Sequence, residues 1–137
     1  MNRSFSLLGV LFVLISNVFA QPVAERVLPE RGYLPGASMK VILHVPAITM
    51  NTTLVEIPPQ GWEISNLSAI FISDDGRINI PLRVTPKPRT ITYLLTSPPQ
   101  ATGDYSFSGN IDGNETTGMT TVRPMIPEPL GIFENHI

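Results

Sequence analysis

Two histidines, His44 and His136, are the only imidazoles in the chain, and cysteine is absent. A hydrolytic relay needs a nucleophile, an imidazole and an orienting acid brought together. His44 falls on the polar phase of an alternating run, and His136 lies in the last residues; no acid or hydroxyl stands at a spacing that would place it beside either ring. Both are expected to be solvated. Serine and threonine are plentiful, but no Gly-x-Ser-x-Gly elbow occurs. The lack of cysteine closes thiol catalysis, thiolate metal sites and redox switching. No catalytic residue and no cofactor are therefore expected.

The acidic clusters read the same way. Asn110-Ile111-Asp112-Gly113-Asn114-Glu115 offers oxygens at alternate positions. A helix-loop-helix calcium loop wants glycine at its sixth position and a bidentate glutamate at its twelfth; Gly113 is fourth, and the pattern stops. An Asp-Gly pair between apolar runs is first a tight hairpin turn, and Asp74-Asp75-Gly76 is read likewise. No metal site is assigned. A lysine-to-asparagine amide cross-link would need a buried lysine beside a buried acid. Lys40 alternates with Met39 and Val41, and Glu56 flanks Val55 and Ile57, so both are expected outside. Asn51-Thr52-Thr53, Asn66-Leu67-Ser68 and Asn114-Glu115-Thr116 fit the N-glycosylation pattern, too short a pattern to assign a sugar.

The elements that would carry any site are strands. Fourteen prolines are spread through the sequence, and no long window repeats apolar residues at helical spacing. Met39, Val41, Leu43 and Val45 alternate with Lys40, Ile42 and His44; Ile78, Ile80, Leu82 and Val84 alternate with Asn79, Pro81 and Arg83. The same period of two recurs at Ile91, Tyr93 and Leu95, and at Tyr105, Phe107 and Ile111. A period of two means sheets with one buried face. Pro35-Gly36, residues 58–61, Asp74-Asp75-Gly76, residues 86–88, Pro98-Pro99 and Asp112-Gly113 supply the turns. Strands are expected near residues 24–28, 39–46, 52–57, 62–66, 69–73, 78–84, 90–96, 104–111 and 116–122. Seven to nine short strands without crossover helices predict an all-β fold, an antiparallel two-sheet β-sandwich of immunoglobulin-like or fibronectin-like type. Pro81 belongs on an edge strand, since proline cannot donate a ladder bond.

The first residues have the layout of a secretory signal. Arg3 gives the positive start, residues 7–15 the apolar core, and Val18-Phe19-Ala20 the small residues before a cut. The apolar stretch is shorter than the roughly 20 residues that cross a bilayer, so cleavage after Ala20 is expected and membrane contact is confined to the leader. The expected organisation is residues 1–20 as signal peptide, 21–123 as the sandwich domain and 124–137 as a proline-rich, poorly ordered tail. Lys and Arg number 9 against 11 Asp and Glu; loss of Arg3 with the leader moves the net charge from −2 to −3. The basic residues are scattered singly, which excludes nucleic acid as a partner.

Trp62 is the single tryptophan. It reads as a large core anchor at the start of a strand, or as an exposed platform for a sugar ring, with Tyr33 and Tyr105 as the accompanying aromatics.

A family resemblance rests on several short motifs. Arg31-Gly32-Tyr33-Leu34-Pro35-Gly36 is followed by Glu56-Ile57-Pro58-Pro59-Gln60-Gly61-Trp62, and Tyr105-Ser106-Phe107-Ser108-Gly109 closes the pattern. Over residues 26–122 the chain resembles a bacterial exported surface β-sandwich repeat with Tyr-x-Pro-Gly and Glu-x-x-Pro-x-Gly-Trp motifs. The resemblance implies a non-catalytic domain of the cell surface. Ile126-Pro127-Glu128-Pro129 resembles the Pro-Glu-Pro motif of a PEP-CTERM sorting signal, here without the apolar span and basic cluster that follow it in that family. The expected function is a secreted or cell-surface, non-enzymatic module for protein interaction, adhesion or spacing. The alternative is a carbohydrate-binding module using Trp62. The partner would be a protein or glycan at the cell surface, outside the cytoplasm.

Overall fold

Strand β2 (Ser38–Val45) displays the period-two rule most plainly: Met39, Val41, Leu43 and Val45 are buried, while Ser38, Lys40 and His44 are exposed. A computed structural model describes residues 21–126. The leader, the tail beyond Ile126 and His136 lie outside the described residues. Around β2 are β1 (Glu25–Val27), β3 (Thr52–Ile57), β4 (Glu63–Ser65), a single 3-10 turn (Ala69–Phe71), β5 (Ile78–Leu82) and β6 (Arg89–Thr96). The short strands β7 (Tyr105–Ser106), β8 (Ser108–Ile111), β9 (Asn114–Glu115), β10 (Thr117–Gly118) and β11 (Thr121–Val122) follow. Among the described residues no helix is long and apolar enough to cross a membrane.

The strands form a sandwich. One layer is ordered β10-β1-β2-β6-β4, the other β5-β3-β8-β9, and β7 pairs with β11 as a separate ribbon. All pairings are antiparallel except β1 with β10. Both layers point apolar side chains into one core, with Val41, Leu43 and Leu95 from the first meeting Leu54, Ile78 and Ile111 from the second. On one side of the sandwich the chain passes from β9 to β10 through Thr116 alone, which joins the two layers covalently. On the other side the edge strands are β4 and β5.

Turn chemistry follows the residues. Asp112 and Gly113 both take positive φ, +50° and +79°, between the partners Ile111 and Asn114. That is the two-residue turn whose twist matches a hairpin. Pro81 does sit on an edge strand, and the register shows why it is tolerated. Thr116 N donates to Gly109 O, so Gly109 and Ile111 turn their main chains to β9, and Ser108 and Asn110 turn theirs to β3. Alternation then gives Thr52, Leu54 and Glu56 the bonds to Leu82, Ile80 and Ile78. Asn79 and Pro81 face outward, where no ladder donor is lost.

Several expected strands are corrected. Residues 69–73 do not form one: Ala69–Phe71 is a 3-10 turn with no buried residue, and Ile70 is 85% exposed. Its apolar run lacks a neighbour beyond the single bridge Ile72 to Ile78. The run 104–111 breaks at Phe107, whose N–H bonds Thr120 O at 2.7 Å, so β7 joins β11 while β8 joins β3. The run 116–122 divides into β10 and β11 for the same reason, bringing the total among the described residues to eleven strands. β4 ends at Ser65 because Asn66 enters the left-handed region at φ +60°. Val84 lies past the end of β5, 57% exposed, its N–H bonded to Asn51 Oδ1.

Candidate functional site

Chemistry-bearing side chains gather in three places: a charged cluster inside the sandwich, an aromatic cluster at one end, and a groove where the layers part.

The charged cluster is a departure from the sequence reading. Glu56, expected outside, is fully buried. Leu54 and Glu56 point inward along β3, while Val55 and Ile57, whose apolar character implied the opposite phase, are half-buried on the outer face. The acid is admitted because β1 places Arg26 inward between Ala24 and Leu28, 1% exposed. The two side chains meet as a fork, with Arg26 Nε donating to Glu56 Oε2 at 2.9 Å and Nη2 to Oε1 at 2.5 Å. Arg26 Nη1 also donates to Met119 O, and Nη2 to Ser108 O. Tyr93 of β6 donates its hydroxyl to Glu56 Oε2 at 2.8 Å, and the guanidinium carbon lies 5.3 Å from the Phe107 ring centroid. Gly109 makes room: a Cβ there would stand 2.6 Å from Val55 O and 3.0 Å from Glu56 Oε1. Arg26 and Tyr93 belong to one layer and Glu56 to the other, so the cluster ties the layers together. Both carboxylate oxygens are engaged and closed to solvent, which suits a structural role.

Burial, and next the adjacent Glu56 carboxylate, push the Tyr93 phenol far above its ordinary value. The folded state thus favours the neutral phenol, while the unfolded one ionises from about pH 10. Above that pH the unfolded state holds fewer protons, so stability falls as pH rises; below it the contribution is fully present. The expected loss is about 1.4 kcal/mol per pH unit for this one proton. Chemical denaturation at pH 9 to 11.5 checks it, with Tyr93→Phe giving a shallower decline. Tyrosinate absorbance that develops fully near pH 10 with the circular dichroism intact would contradict the assignment.

The three aromatics singled out from sequence do come together. Tyr33, Trp62 and Tyr105 form an edge-to-face triangle with centroids 5.1, 5.7 and 4.9 Å apart. Tyr33 donates to Gly103 O at 2.8 Å. Burial, then Tyr105 and Asp104, raise the Tyr33 phenol. Trp62 is 6% exposed and Tyr33 1%, with Tyr105 half-buried. A sugar needs an open ring face to stack on, and Trp62 and Tyr33 are both buried in the core. The arrangement is that of a core anchor.

The remaining candidates are placed at the surface. His44 is exposed, with Nδ1 3.3 Å from Thr90 Oγ1, and Lys40 is exposed as expected. Asp112 Oδ1 accepts from the Thr52 hydroxyl and Asn110 Oδ1 from Gly113 N, so these oxygens serve the turn. Asp75 accepts from the Ser73 hydroxyl and from Arg77 N, which hold its carboxyl below the usual range in that order. Among the described residues, no group of three His, Asp or Glu side chains could hold a metal.

The groove opens between β5 and β6, where β4 has stopped. It encloses about 550 Å³ and is lined by Leu67, Phe71, Ile80, Pro81 and Ile91, with Thr90, Arg83 and Arg89 beside them. Its floor is apolar because Ile91 points toward the core at a place the second layer does not cover. Sequence reasoning missed it, since its walls come from three short segments within residues 67–91 that no motif or periodicity links, brought together by the packing of the two layers.

No protein-family model matches the chain, and no curated protein matches it in sequence. Three solved structures are similar to it at low identity. The reeler domain of human F-spondin is 16% identical over 76% of this chain and 89% of that one, with a TM-score of 0.50. BslA, a bacterial hydrophobin, is 13% identical over 74% and 96%, with a TM-score of 0.48. Spo0M, a sporulation control protein from Bacillus subtilis, is 11% identical over 86% and 56%, at 0.45. The likeness to the reeler domain agrees with the all-β sandwich traced above.

Proposed function

We propose that this chain is an exported, non-enzymatic β-sandwich module that works by binding another protein, and that the groove between β5 and β6 is its binding surface. The observation that carries the reading is the groove itself: apolar floor, two arginines at its margin, and solvent access at the open side of the sandwich. The secretory layout of residues 1–20 supports action outside the cytoplasm. The buried acid and base are spent on each other, leaving the ionisable pair in the core no access to a substrate.

A photo-crosslinking amino acid placed at Thr90 in producing cells tests this, with the same residue at Lys40, also exposed, as the comparison. Protein adducts are expected from position 90 and not from position 40. Equal adducts at both positions, or none from position 90, would sink the proposal.

A further inference from the structure

The groove has an unfinished sheet along one wall, and its geometry deepens the proposed function, on which this inference rests. Ser97 N donates to Ala37 O, which fixes the parity of β6. Residues 95, 93, 91 and 89 turn their main chains toward β2, through the pairs Met39 to Leu95, Val41 to Tyr93, Leu43 to Ile91 and Val45 to Arg89. Thr96, Leu94, Thr92 and Thr90 therefore turn theirs the other way. β4 takes up two of these four, opposite Glu63 and Ser65. It ends there, because Asn66 leaves the strand at positive φ. The N–H and C=O of Thr92 and Thr90 thus face the open side, and both residues are exposed.

The facing wall cannot fill that gap. β5 presents Pro81 outward, with no N–H to offer, and it belongs to the other layer. Proline on one edge and an open main chain on the other make the site one-sided. Arg83 and Arg89 are exposed and have no carboxylate within 4 Å among the described residues, in a chain of net negative charge.

We infer that β6 accepts an extended peptide as an added strand, running on from the line of β4 and bonded through its main chain to Thr90 and Thr92. Alternate apolar side chains of the peptide fill the space over Leu67, Phe71 and Ile91, and a carboxylate of the peptide meets Arg83 and Arg89. Strand addition draws affinity from main-chain bonds and specificity from pockets for alternate side chains, and both are present here. The occupant is a peptide segment of a partner protein, apolar at every second position and acidic at one end.

A synthetic heptapeptide of alternating valine and threonine with a terminal glutamate serves as the probe, against the full secreted chain. Amide exchange at Thr90 and Thr92 is expected to slow at least tenfold on binding. N-methylation of alternate peptide amides on the bonding edge should abolish this, and methylation on the other edge should leave it. Thr92→Pro removes the outward N–H without a ladder bond to β2, so binding is lost while the melting temperature holds. Should that variant fail to fold, Arg83→Glu with Arg89→Glu gives the second reading: affinity for the glutamate peptide falls at least tenfold, and a lysine-ended peptide gains. Binding that is indifferent to N-methylation overturns the inference, as does displacement of the peptide by dodecanoate with Thr90 and Thr92 unprotected, which would mark an amphiphile site. Protection that rises with protein concentration alone would assign the edge to a second copy and overturn it too. Crosslinked protein at position 90 without slowed exchange would retain the protein-binding function and remove only this mode.

Discussion

Glu56→Ala is expected to lower the folding free energy by about 3–5 kcal/mol, the cost of leaving a buried charge without its partner. At 1% exposure the Arg26 guanidinium cannot reach water without opening the layers. The substitution removes both bonds of the fork and strands the Tyr93 hydroxyl, which loses its acceptor. Single domains hold a net stability of about 5–15 kcal/mol, so this one change consumes a large share. The pair need not be a net source of stability for that to hold, since burying both ions carries its own desolvation cost. Arg26→Met combined with Glu56→Leu is therefore expected to recover most of the loss. Denaturant midpoints at constant slope measure both variants. A single substitution costing under 1 kcal/mol, or a double variant as weak as the single, would show that the fork does not hold the layers.

The same cluster marks the limit of what the sequence discloses. Met39 to Val45 is legible because its buried face is continuous and its polar face is solvated, so the alternation has one interpretation. Asp112-Gly113 is legible because a two-residue hairpin turn demands positive φ and few residues supply it. Pro81 is legible through the donor it lacks. Glu56 is not: Val55 and Ile57 beside it read as the inner face, and only an arginine 30 residues away makes the opposite phase tolerable. A hint existed in Arg26, which shares its phase with Ala24 and Leu28. Residues 69–73 have strand composition but no neighbour beyond the bridge from Ile72 to Ile78, and a strand extends only where a partner does. The break at Phe107, the crossing at Thr116 and the break between Gly118 and Thr121 arise where the chain changes sheets, a tertiary decision that local periodicity cannot show. The groove is hidden for a related reason, because it consists of what β4 leaves uncovered rather than of any motif.

Trp62→Ala is expected to cost about 3–5 kcal/mol, through lost burial and the cavity that remains. The indole is the hub of the aromatic triangle, touching both Tyr33 and Tyr105 edge to face, and each such pair adds about 0.5–1.5 kcal/mol beyond area alone. One term runs the other way: the indole Nε1 is buried without an acceptor among the described residues, and an unmet buried donor costs about 1–3 kcal/mol. Trp62→Phe leaves a smaller cavity, keeps an aromatic ring and removes that donor, so its loss should stay well below that of the alanine variant. Tyrosine fluorescence and circular dichroism follow unfolding in both variants, and the wild-type tryptophan should emit as a buried indole until the fold opens. The contrast separates the two roles the sequence allowed. A core anchor tolerates phenylalanine and fails with alanine, whereas a sugar platform would lose glycan binding in both while stability barely moved. An alanine variant as stable as the wild type would therefore take Trp62 out of the core.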